Sequence, residues 1–79
     1  TFMSYNIKLS PNPVTDILNI ENEFQINSIK IYNQLGQMVF RKEINNNTTQ
    51  LDLSVINSGI YNVLFETEKG TVNHKIVKK

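Results

Sequence analysis

Apolar and polar residues alternate along this chain in short runs, and turn-forming residues interrupt them at roughly the 8–12-residue spacing of an all-β sandwich or barrel. No window sustains the 3.6-residue period of an amphipathic helix. Seven segments read as strands: 5–9, 17–21, 28–32, 38–43, 49–53, 60–66 and 71–77. Because successive side chains of a strand point to opposite faces, the alternation also assigns sides. Leu18 and Ile20 share one side of their strand, as do Leu51 and Leu53 with Asp52 opposite. Ile29 and Ile31 share a side with Lys30 and Tyr32 opposite. Tyr61, Val63 and Phe65 form one face of the sixth segment, while Ile60 and Leu64 make its other face apolar too. That strand is expected to be central or covered on both sides. Met38, Val39 and Phe40 are consecutive apolar residues that a period of two cannot assign.

The connections have local causes. Gly36 in NQLGQ can take positive φ and close a short hairpin loop with a bulge. Gly70 in ETEKGT can do the same, and Gly59 in NSGIY follows two turn formers and admits the sixth strand. The polar INNNTTQ stretch reads as a loop tip. The longer connections, 21–27 and 54–59, have the length to cross between sheets. Near the start, LSPNPVTD places Pro11 and Pro13 around Asn12. Neither proline has an N–H to give, and each pushes the residue before it towards extended geometry, so no regular ladder continues through this corner. A seven-stranded, two-layer antiparallel sandwich fits these lengths.

Composition narrows the function. With 79 residues the chain is one small domain, and it has no cysteine and one histidine, so neither a disulfide nor a histidine–cysteine metal site supports it. The net charge of +1 gives no basic face for nucleic acid. No apolar run approaches the roughly 18 residues of a membrane-spanning helix. There is no signal peptide, and the chain starts at Thr1 with Met3 nearby, so we read it as a piece of a longer protein, its C-terminal end.

Catalytic chemistry finds little to stand on. His74 alternates with Val72 and Ile76 at the edge of the expected core and has no cysteine to activate. Asp16, Glu21, Glu23, Asp52, Glu66 and Glu68 are scattered, and no calcium loop or zinc spacing occurs, so no cofactor or metal is expected. Asn46 and Asn47 each open an N-glycosylation pattern that arises easily in an asparagine-rich stretch. Tyr5, Tyr32 and Phe40 could form a sugar-stacking platform, which makes a carbohydrate-binding or adhesive accessory module the rival reading; covering core edges is the simpler role. HKIVKK sets Lys75, Lys78 and Lys79 around an apolar Ile76–Val77 pair. Such a segment is either a solubilising edge or a docking strand with apolar anchors and cationic flanks.

The ordered set PNP at 11–13, Asp16-Ile17-Leu18-Asn19-Ile20, SIKIYNQLGQMV, LDLS, SGIYNVLFET and the lysine-rich end resembles the type A C-terminal sorting domain of type IX secretion substrates from Bacteroidota. Leu9 and Ser10 stand where the family often has an aromatic and a proline, and Asn33 where aspartate is common. The resemblance implies an immunoglobulin-like sandwich of seven strands and a non-catalytic export address. It divides the chain into residues 1–8, the end of a linker and the lead-in to the first strand, which begins near Tyr5, and the sorting domain, 9–79. It implies a cargo domain upstream in the same chain, and recognition by the outer-membrane translocon through Lys75, Ile76, Val77, Lys78 and Lys79. Removing those five residues is then expected to stop export and leave the fold intact. It also implies cleavage within or before residues 1–6 by a sortase-like cysteine peptidase, and a secreted or cell-surface destination reached through periplasm and outer membrane. Pro11, Asn12, Pro13, Gly36, Gly59 and Tyr61 match motif positions read as structural. Open strand edges add the prospect of a homodimer.

Overall fold

The structure, a computed structural model, describes residues 7–11 and 13–79. They form five strands and no helix: β1 (Lys8–Ser10), β2 (Ile17–Tyr32), β3 (Met38–Asp52), β4 (Gly59–Thr67) and β5 (Gly70–Lys78). All pairings between the strands are antiparallel. β3 pairs with β2 from Ile17↔Asp52 to Tyr32↔Met38. The first half of β2 also pairs with β1, the second half with β4, and β5 pairs with β4.

Five strands replace the expected seven because two of the anticipated loops are strand. Residues 21–27 continue β2, and the INNNTTQ stretch continues β3. What the composition signalled there is a bulge rather than a loop. Glu21 pairs with Thr48 and Ile26 with Asn46, so β2 advances five residues while β3 advances two. Between Ile26↔Asn46 and Ser28↔Glu43 the excess residue moves to β3, where Asn45 takes φ 53°. Asparagine enters this left-handed region more readily than residues with larger side chains. The bulges reset the alternation: Leu18, Ile20 and Asn22 are buried at even positions, Ile29 and Ile31 at odd ones. They also bend the strand. Sixteen residues of straight strand would run about 50 Å, while the molecule's longest dimension is 35 Å.

Both halves of β2 therefore contribute to one core. Leu18, Ile20, Leu51 and Leu53 from one end join Ile29, Ile31, Tyr61, Val63, Phe65 and Ile76 from the other in a single buried cluster. The faces read from alternation agree for all of these residues. β4 is central, between β2 and β5, but its second face is only partly covered: Leu64 is half-buried and Ile60 exposed. Of the three residues the period could not assign, Met38 and Val39 are exposed and Phe40 packs against the core.

The proline corner works as a strap. β1 ends at Ser10, and Val14, fully buried, forms a parallel bridge with Lys78. The Val14 N–H donates to the Val77 carbonyl and the Lys79 N–H donates to the Val14 carbonyl, both at 2.8 Å. Two residues on, the Asp16 carbonyl accepts from the Leu53 N–H at 2.7 Å. One short segment thus ties the end of β5 to the end of β3.

Candidate functional site

The docking residues inferred from sequence lie on β5 and just beyond it, and the strand geometry separates them. Lys75, Val77 and Lys79 are exposed, whereas Ile76 is wholly buried. Ile76 therefore cannot be a surface anchor; it seats the strand in the core. Lys78 is only 8% exposed, and its ammonium donates to the Lys79 carbonyl at 3.1 Å. Among the described residues, Lys75, Lys78 and Lys79 form no ion pair. Because Ile76 and the strap pairing both belong to the last five residues, cutting them away removes core and ladder together. The expectation that the fold survives this truncation is corrected.

Of the described residues read as structural, Gly36 lies in the β2–β3 turn, Pro11 and Pro13 on the strap, and Gly59 and Tyr61 at the start of β4. Asn33 organises the β2–β3 turn: its carboxamide oxygen accepts from the Leu35 and Gln37 N–H groups at 2.9 and 3.0 Å. Its carbonyl accepts from Gly36 at 3.0 Å, with Gly36 at φ 82°. Asparagine thus supplies the same acceptor oxygen that an aspartate would. Gly59 opens β4 next to the Tyr61 ring. Tyr61 is buried, and its hydroxyl donates to the Asn57 carbonyl at 2.6 Å, tying the β3–β4 crossover to β4. Pro11 and Pro13 are exposed on the strap. Asn12, Tyr5 and the cleavage segment 1–6 lie outside the described residues.

The titratable groups do not converge. His74 is half-buried, with its ring edge-on to Phe65 at 5.9 Å and 73°. Its Nε2 has no hydrogen-bond partner among the described residues. Glu66 accepts from the Ser28 hydroxyl at 2.6 Å and pairs with Lys30 at 3.1 Å. Those two neighbours, the hydroxyl first, hold its carboxyl below the ordinary glutamate range. Asp52 is likewise lowered, by hydrogen bonds from Ser54. Among the described residues no three histidine, cysteine or acidic side chains group as metal ligands. Phe40 and Tyr32 are each half-buried, and Phe40 packs against the core.

Sequence reasoning passed over the two apolar turn tips. Leu35 in NQLGQ and Val55 in LSVINSG were read only through their turn-forming neighbours, and both side chains stand in solvent, 84% and 78% exposed. The available signal was their position: a large aliphatic at a turn tip breaks the polar pattern that a loop ordinarily follows. The strap contact, which joins residues 64 positions apart (Val14 and Lys78), left no local signal.

Comparison with known proteins assigns the family. The family model described as the Secretion system C-terminal sorting domain matches residues 8–79. Comparison with curated proteins finds no match.

Proposed function

The chain belongs to the secretion system C-terminal sorting domain family, and we propose that its address is read on the closing strand, through the exposed side chains of the segment from Lys75 to Lys79. A type IX sorting domain directs the protein that carries it through the outer membrane, to be secreted or attached to the surface, and engages the secretion machinery with a cargo upstream. Within this segment the exposed Lys75, Val77 and Lys79 make the contacts, and Ile76 and Lys78 hold the strand in place. The observation that carries this reading is the combination of a buried anchor with exposed cations that no carboxylate of the described residues neutralises. The outer backbone edge of β5 at Val77 and Lys79 is already paired with Val14, so the matching mode of recognition is side-chain contact, with acidic groups of the partner opposite the lysines.

We take the architecture to be an immunoglobulin-like sandwich of seven segments, since each long strand, bent at its bulges, serves two layers. One layer is β1, the first half of β2 and the second half of β3; the other is the first half of β3, the second half of β2, β4 and β5. The Tyr61–Asn57 bond supports this, because a tyrosine closing a strand corner onto upstream backbone is a habit of such sandwiches. The sorting domain spans 9–79, with 1–8 the linker end and strand lead-in. It is non-catalytic, its removal falls to a sortase-like cysteine peptidase, and its edge strands provide for homodimerisation.

The test is export of a passenger fused upstream in a type IX-competent strain. Lys75→Glu with Lys79→Glu is expected to cut export at least tenfold while thermal unfolding of the purified domain is unchanged. Normal export by that variant would refute docking through these lysines.

A further inference from the structure

The apolar turn tips and the closing strand meet at one end of the molecule. Asn33 and Tyr61 stand between two shallow clefts there. Leu35 and Ile60 line the first, Val39 and Val55 the second. Ile60 is the cross-strand partner of Val77, and each is 40% exposed. On the same face of β5, two residues from Val77, stands Lys75, opposite Asn62. Leu35, Val55, Ile60 and Val77 thus lie around one end, continuous with the docking strand, and neither cleft is lined by a carboxylate. Leu35 and Val55 stand in connections held by structure that does not need them to be apolar. The β2–β3 turn is organised by Asn33 and Gly36, and the crossover is tied by Tyr61 and by Ile56, whose N–H donates to the Leu53 carbonyl at 3.1 Å. Aliphatics grouped at one end of a surface, rather than scattered singly, mark a contact surface.

We propose that this end is the apolar half of a composite docking face, on which Leu35, Val55 and Ile60 extend the contact begun by Val77. The occupant is a protein segment of the secretion machinery that presents apolar side chains to the turn tips and carboxylates to Lys75 and Lys79. Charge selects it: the cations lie to one side of the aliphatic cluster and the clefts add no negative charge, so an acidic, apolar segment is matched and a basic one repelled. The inference rests on the sorting-domain reading and adds a second, separable half to it. It also accounts for the strap, since Val14 holds Val77 and Lys79 in place beside Ile60.

The experiment compares four passenger fusions in a type IX-competent strain: unaltered, Leu35→Glu with Val55→Glu, Lys75→Glu with Lys79→Glu, and Glu68→Lys. Glu68 lies in the β4–β5 turn, about 25 Å along the strands from the docking end. Thermal unfolding of each purified domain accompanies the assay. The turn-tip variant is expected to lose at least tenfold in export with its unfolding midpoint kept, and Glu68→Lys to export normally. If the unaltered and Glu68→Lys fusions are exported, the lysine variant is blocked and the turn-tip variant passes normally, the apolar face is refuted and docking by the lysines stands. If the turn-tip variant unfolds early, Leu35→Ser with Val55→Ser replaces it, and undiminished export by that pair overturns the proposal. If the unaltered fusion is not exported, the sorting-domain reading falls and this inference with it.

Discussion

Glu66 shows how a single side chain ties local chemistry to the sheet. It sits on β4 opposite Ser28 of β2 and accepts a hydrogen bond from that residue's hydroxyl at 2.6 Å, with the Lys30 ammonium at 3.1 Å. Both contacts favour the carboxylate, so the folded protein holds Glu66 below its ordinary range. A carboxyl with a depressed folded pKa stabilises the native state above the unfolded value, and that contribution disappears as the pH falls through the folded one. Glu66→Gln is therefore expected to lower the unfolding midpoint slightly near neutral pH. The gap to the parent should close in acid, as the parent loses its carboxylate. Because the side chain is 43% exposed, salt screens the Lys30 part, and the neutral-pH gap narrows at high ionic strength. Midpoints followed against pH at two salt concentrations check this; a gap that is independent of pH would refute it.

At the scale of elements, β5 is a core strand and, under the proposed docking mode, also the exposed address, with the two roles on alternate residues. Ile76→Ala removes a fully buried side chain and is expected to cost about 2–5 kcal/mol, a large share of the roughly 5–15 kcal/mol that holds a domain together. Lys75→Ala, one residue away and exposed, is expected to change stability by less than about 0.5 kcal/mol. Denaturant titration of the two variants checks this contrast. It separates seating the strand from reading it, which deletion of the tail cannot do. The strand alternation that assigns Ile76 inward was legible in the sequence, since Val72, His74 and Ile76 share a parity. So were the inward faces of 17–21, 28–32, 49–53 and 60–66, and the hairpin at Gly36. The continuity of β2 and β3 was not. Asparagine-rich stretches signal turns and bulges alike, and a bulge hides the strand by shifting its phase, as the change from Leu18 and Ile20 to Ile29 and Ile31 shows. The proposed docking end was half legible: HKIVKK stood out by charge, while Leu35 and Val55 were masked by the turn formers beside them.

For the whole molecule, the question is whether the strap, the two bent strands and the tail hold together as one unit. The domain is too small to afford two cores, and its buried residues form one cluster reaching from Val14 to Ile76. Val14 contributes to that cluster from a segment otherwise outside the sheet, and its backbone links the ends of β5 and, through Asp16, of β3. Loss of this one side chain should therefore be felt by every strand at once. Val14→Ala is expected to lower stability by about 2 kcal/mol, from the burial a valine gives up, and so to shift the midpoint by roughly 8–16 °C at this chain length. The transition should stay single, with far-ultraviolet dichroism and tyrosine signals coincident, because Tyr61 at the β4 corner reports the same core that the strap closes. Were the tail to melt first in this variant, giving two separated transitions, the strap would be a local clasp and the docking strand independent of the core. Coincident transitions would mean that the surface Val77 and Lys79 present is only as persistent as the fold itself. A translocon that recognises this face would then be recognising a folded domain.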